Sequence, residues 1–116
     1  MIKSAGELIS EAQNQINCID VATAKSIHET SSDVLIIDVR EAHSAAESKL
    51  QHSINISRGL LEMNISKHCS NVDTVILTHC GGGGRASLAA LSLQQMGYRK
   101  VYAITARYED IKTAFG

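Results

Sequence analysis

The sequence predicts an α/β domain with a mainly parallel sheet, and three observations carry that reading. Two continuous apolar, β-branched runs, "DVLIIDV" at 33–39 and "VDTVILTHC" at 72–80, show the pattern of strands buried on both faces. Helix-period segments separate them from each other and from a further short run, "VYAI" at 101–104. The second run delivers the chain directly into four glycines, Gly81 to Gly84, and a helix-forming stretch follows at once. Strands alternating with helices at this spacing predict one domain over residues 1–116 rather than separate modules.

Each element has its own warrant. From Ser4 the residues Leu8, Ile9, Ala12 and Ile16 recur at helical spacing, so an N-terminal helix within 1–17 is expected to pack on the domain. Asp20 is placed to cap a second helix, "VATAKSIHET", with Val21, Ala24 and Ile27 as its apolar stripe. After the strand at 33–39, "REAHSAAESKL" is short and helix-prone, "SINIS" a brief strand, and "GLLEMNISKH" a helix. Beyond the glycines "RASLAALSLQQMG" is a helix of alanine and leucine that Gly97 closes, with Leu88, Leu91 and Met96 expected in the core. A strand at "VYAI" and a helix at "TARYEDIKTAF" end the pattern.

Composition narrows the function. A chain of 116 residues, 44% hydrophobic and 20% charged, can bury one core, which excludes disorder. The net charge of -1 gives no basis for a nucleic-acid or anionic-membrane partner. No apolar run nears the roughly 20 residues of a membrane span. The opening "MIKSAGELISEAQNQI" carries acids and amides where a signal peptide needs an apolar stretch, so a cytoplasmic location is expected. Three cysteines at irregular spacing fit a reducing compartment, with Cys18 and Cys69 read as partly buried small residues.

The glycines are too well placed to be a linker, because they join a buried strand to a helix of the same domain. Ligand sites in open α/β sheets lie beyond the carboxyl ends of strands, and Cys80 ends one. Glycine admits positive φ without steric cost, so successive N–H groups of Gly81, Gly82, Gly83 and Gly84 can turn inward together. The free N–H groups and dipole of the following helix add positive potential, which favours a thiolate at Cys80. Arg85 brings a fixed cation that forks onto oxyanions. His79 points to the other face of its strand, so a structural role is expected there rather than general-base work.

Other chemistries fit less well. No lysine followed by Ser or Thr closes the glycines, as a Walker loop requires. A dinucleotide fingerprint lacks its later ribose-binding acid. The pairs His68-Cys69 and His79-Cys80 flank a strand, which sets them roughly 25–35 Å apart at about 3.3 Å per residue. They cannot share one metal ion, and no metal site is expected.

At these residues the chain resembles a single-domain rhodanese, a sulfurtransferase of the rhodanese homology superfamily. "LIIDVRE" resembles the family's first signature, "INISRGLLEM" its "INIPRGxLE" stretch, and "HCGGGGRASLAALSLQQMGYRKVYAI" its active loop, helix and following strand. The resemblance implies a five-stranded parallel sheet flanked by helices. It also implies a double displacement with no cofactor: Cys80 takes sulfane sulfur from a small anionic donor such as thiosulfate, and a cellular thiol or cyanide removes it from the persulfide. The related dual-specificity phosphatases carry HCx5R around a phosphoryl group, whereas here Gly81 to Gly84 alone separate Cys80 from Arg85, a shorter HCx4R loop.

Departures from the family pattern fall at Ser44, Ser48, Lys49, Ser57 and Ala86, and no proline remains. They keep two alternatives open: a catalytically weak binding or sulfur-relay module, and a phosphatase. Asp38 and Arg40 are expected as an ion pair or loop anchor near the site, and Arg58 either faces the pocket or is solvated. Arg107, beyond the last strand, is a further candidate for the pocket mouth.

Overall fold

The computed structural model describes residues 1–116, and its five strands all pair in parallel. The elements run α1 (Ala5–Gln13), β1 (Asn17–Ile19), α2 (Val21–Thr30), β2 (Val34–Asp38), α3 (Ala42–Glu47), β3 (Ser53–Asn55), α4 (Leu61–Asn64), β4 (Val75–His79), α5 (Gly84–Met96), β5 (Lys100–Ile104) and α6 (Tyr108–Phe115). The strand order is β1-β5-β4-β2-β3, so β4 lies at the centre.

The long apolar runs are explained by burial on both faces. Ile37, Val39, Ile76, Val101 and Ala103 pack with Ala86, Ala89, Ala90 and Leu93 of α5 and with Leu61. Their alternating neighbours Ile36, Leu77 and Ile104 pack with Ala24 of α2 and with Ile111 and Phe115 of α6. Right-handed crossovers put helices on opposite faces when the direction of strand addition reverses. The step from β1 to β2 therefore carries α2 on one face, and the steps through β4 to β5 carry α4 and α5 on the other.

That reversal positions the site. From β2 the chain moves outward to β3, while from β4 it moves to β5 on the other side. The connections leave neighbouring strands in opposite directions and open a crevice at their carboxyl ends. Cys80 stands there, and the peptide after β2 is tied to it by a Val39 N–H to His79 carbonyl bond of 2.9 Å.

Helix ends follow local chemistry. Ser4 caps α1 in a reciprocal capping box with Glu7, and the Asp20 carboxylate accepts the Thr23 N–H at 2.8 Å. Gly97 closes α5 with φ +111°.

Five expectations need correction. The N-terminal helix stops at Gln13, and residues Asn17–Ile19 form an edge strand that three residues of mixed polarity do not announce. The helix expected over 59–68 is α4 alone, four residues long, between single 3₁₀ turns at Arg58–Leu60 and Ile65–Lys67. In α5 the core face is Ala86, Ala89, Ala90 and Leu93; Leu88 and Leu91 are half-buried and Met96 is exposed. Alanine faces the sheet because α5 lies close against it, and the larger side chains splay to the rim. Cys18 is exposed on edge strand β1, while Cys69 is buried.

Candidate active site

The loop from Cys80 to Arg85 is a cradle built from backbone. Cys80 is 1% exposed, and its sulfur accepts two main-chain N–H bonds, from Gly83 at 3.1 Å and from Ala86 at 3.3 Å. Both donors point at the sulfur because the loop closes on itself and runs into the free N-terminus of α5. Val39, Ile56 and Ala86 share its apolar cluster, and a low-dielectric wall strengthens such bonds.

Four contacts hold the loop in this shape. Gly83 takes φ +103°, and a Cβ there would stand 3.1 Å from the Thr105 Cα, so both conformation and space demand glycine. Its carbonyl accepts the Ser87 N–H at 3.0 Å and the Ser87 hydroxyl at 2.6 Å. The Gly81 carbonyl accepts the Tyr108 N–H at 3.0 Å, tying the loop to the start of α6. Thr78 donates its hydroxyl to the Ala86 carbonyl at 2.9 Å, locking β4 to the first turn of α5.

Arg85 is exposed and forms no ion pair with an acid; its guanidinium lies 3.4 Å from where a Gly81 Cβ would be. It is a cation at the rim, beside the loop. Gly82 is exposed, and a side chain there would meet nothing within 4 Å.

Asp38 and Arg40 form a buried, bidentate pair, with Nε and Nη2 of Arg40 donating to the carboxylate at 2.8–3.2 Å. The bonds to Asp38 raise the Arg40 guanidinium further above its ordinary value. Nη2 also donates to the Ser48 carbonyl at 2.6 Å, and the guanidinium lies 3.8 Å over the Tyr108 ring. Ser48 and Tyr108 share a hydroxyl bond of 2.7 Å. The departure at Ser48 is thereby absorbed into an anchor behind the loop. The departure at Ala86 is harmless to the cradle, since that residue contributes its N–H and Ser87 supplies a hydroxyl.

His79 is fully buried on the face opposite Cys80 and stacks on Tyr108 at 6.1 Å. Both ring nitrogens lack a hydrogen-bond partner. Burial pushes its pKa down to about 4, with Arg40 acting in the same direction and Asp38 against it. A neutral ring on the far face has no route to a proton at the sulfur.

Arg58 donates Nη1 to Glu62 at 2.8 Å, and Glu62 also accepts from Ser92, so this arginine is engaged along α4 and α5. Arg107 is exposed and loosely paired with Asp110 at 3.8 Å. Neither touches the loop's hydrogen bonds. Ala42, Asn55, Ile56, Ser57, Leu60, Asn64 and His68 line a cleft of about 290 Å³ beyond β3. No three His, Cys, Asp or Glu side chains gather at a spacing that holds a metal ion.

Sequence reasoning missed two loop contacts, one of which left a signal in the sequence. Ser87 stands four residues after Gly83 on a helix, a spacing that signals hydroxyl-to-carbonyl bonding. Tyr108 carries no such signal, because only the packing of α6 brings its N–H to Gly81.

Comparison with known proteins agrees with this fold. A protein of unknown function from Rhodopseudomonas palustris, described as a possible tyrosine phosphatase, superposes over 100% of this chain and 94% of its own, with 26% identity and a TM-score of 0.83. The reduced CoADR-RHD protein of Bacillus anthracis matches 87% of this chain at 26% identity and TM-score 0.72, over only 17% of its own length. The polysulfide-sulfur transferase homodimer of Wolinella succinogenes shares the fold, with 20% identity, a TM-score of 0.73, and coverage of 88% of this chain and 77% of its own. No curated protein matches. The model of the rhodanese-like domain matches residues 20–114, which take in every strand of the sheet but β1 and the whole of the Cys80 loop, and this chain belongs to that family.

Proposed function

We propose that the protein is a sulfurtransferase that carries sulfane sulfur as a persulfide on Cys80. The observation that carries this reading is the convergence of the Gly83 and Ala86 N–H groups on one sulfur atom. Such donors hold a thiolate before reaction and stabilise sulfur anions during it. The Cys80 thiolate attacks the outer sulfur of thiosulfate, the S–S bond breaks, and sulfite leaves with the bonding electron pair. Arg85 at the rim is the cation for the arriving and departing anions. An acceptor thiolate or cyanide then attacks the terminal sulfur of the persulfide and returns Cys80 as thiolate. The reaction draws on no metal or cofactor, and its partners are small molecules met in a reducing, cytoplasmic setting.

The phosphatase reading has the Rhodopseudomonas palustris protein's description behind it. Against it stands the size of the loop. Four residues close around a single sulfur, whereas a phosphoryl group presents three oxygens that each need a donor. The departures at Ser44, Ser48, Lys49 and Ser57 motivate the binding-module alternative.

Intact mass after exposure to thiosulfate, followed by cyanide, separates the three. The expected result is a gain of one sulfur that cyanide removes and that Cys80→Ser abolishes. Absence of the adduct with any sulfane donor favours a binding module, and Cys80-dependent turnover of an aryl phosphate favours the phosphatase.

A further inference from the structure

Residues 1–19 precede the region matched by the family model, yet the helix they contain reaches the Cys80 loop. α1 lies along α5, and Ile9 fills the space beside Gly84, where a Cβ would meet the Ile9 Cδ1 at 2.9 Å. One turn further on, half-buried Gln13 donates its side-chain Nε2 to the Ser87 hydroxyl oxygen at 3.1 Å. That hydroxyl in turn donates to the Gly83 carbonyl at 2.6 Å, and the Gly83 N–H lies 3.1 Å from the Cys80 sulfur. A chain of hydrogen bonds thus runs from the N-terminal helix to within one residue's backbone of the reactive atom.

We infer that Gln13 is a positioning residue for the Cys80 sulfur, acting through Ser87 and the Gly83 backbone. The inference rests on Cys80 being the nucleophile.

The polarity of the chain specifies what residue 13 must do. A serine hydroxyl has one proton and rotates to suit its partners. With the Ser87 proton committed to Gly83, the group approaching the same oxygen from α1 must be a donor. The Gln13 amide is one; a carboxylate of the same length would instead accept the Ser87 proton and draw it away from the loop. Bonds in series polarise one another, so the Gln13 donor strengthens the grip on the Gly83 carbonyl. Gly83 needs that grip, since a glycine at φ +103° has no side chain to restrain it. Two other contacts hold this segment: Ile9 of α1 packs beside Gly84, and Gln94 donates to the Gln15 carbonyl at 3.1 Å in the turn that follows the helix. The helix therefore stays docked when residue 13 changes.

The test uses the full chain and three readouts: the Gly83 amide proton shift by NMR, the rate of Cys80 alkylation by iodoacetamide at pH 7 read on its own peptide, and the melting temperature. Gln13→Met and Gln13→Glu are expected to move the Gly83 amide proton upfield and to slow alkylation about three- to tenfold, Glu more than Met, as for partial loss of a bond to a charged sulfur. Lys3→Ala, which breaks an exposed ion pair with Glu11 on the same helix, should change neither. In a Ser87→Ala background Gln13→Met should add nothing, even if either change lowers the melting temperature. An unmoved Gly83 amide in Gln13→Met, or effects of the two substitutions that simply add, overturns the inference. Failure of the wild-type protein to take up sulfane sulfur overturns the proposed function instead, and leaves the amide result to decide the role of Gln13.

Discussion

At Gly83 the main chain takes a left-handed conformation against the Thr105 backbone while its N–H reaches Cys80, so conformation, space and hydrogen bonding all meet in one residue. Gly83→Ala must strain the loop or push Thr105 away. The expected cost is about 1–3 kcal/mol in stability, with loss of sulfane uptake measured by intact mass. Gly82 has open space around it, so Gly82→Ala should leave uptake nearly intact, and the contrast separates the two glycines. Behind the loop, Asp38→Asn would leave the Arg40 guanidinium buried without its counter-charge. Removing one partner of a buried pair costs about 3–5 kcal/mol, which urea unfolding should register.

Between elements, the α1–α5 contact depends on what Gly84 lacks. Gly84→Ala would drive a methyl group into the Ile9 Cδ1, the far end of a flexible side chain, while gaining up to about 1 kcal/mol of helix propensity. Ile9→Val removes the clashing carbon. In a double-mutant cycle by thermal unfolding the pair should therefore be more stable than the sum of the single changes, by about 1 kcal/mol. The elements themselves were largely legible: β2 and β4 as unalternating apolar runs, α2 from Asp20, the end of α5 from Gly97. β1 was not, because Asn17, Cys18 and Ile19 make a strand only by pairing with Tyr102 to Ile104 of β5. The face of α5 was misread because Leu88 and Leu91 look more apolar than the alanines, while close approach to the sheet selects for small volume.

Across the whole molecule, His79 links stability to pH. Its pKa is about 4 when folded against an ordinary 6.5, so the unfolded chain binds more protons between those values. The stabilisation from keeping the ring neutral is complete above about pH 6.5 and is lost as pH falls toward 4. The loss amounts to about 3 kcal/mol at 1.36 kcal/mol per pH unit. Melting temperatures recorded from pH 7 to pH 4 should fall in the wild type and flatten in His79→Leu, which fills the site without a titrating group. The same ring shows why a residue next to the nucleophile is not its base: the pleat of β4 sends His79 and Cys80 to opposite faces.

By itself the sequence determined the α/β class, the strand that leads into Cys80, and the four-residue spacing to Arg85, because periodicity and loop length are local properties of the chain. The tertiary structure alone decided which donors reach the sulfur, that the Arg40 and Tyr108 side chains stack behind the loop, and that Gln13 reaches Ser87 across 74 positions. Those contacts join segments whose proximity follows from strand order and helix packing, and no local pattern encodes that proximity.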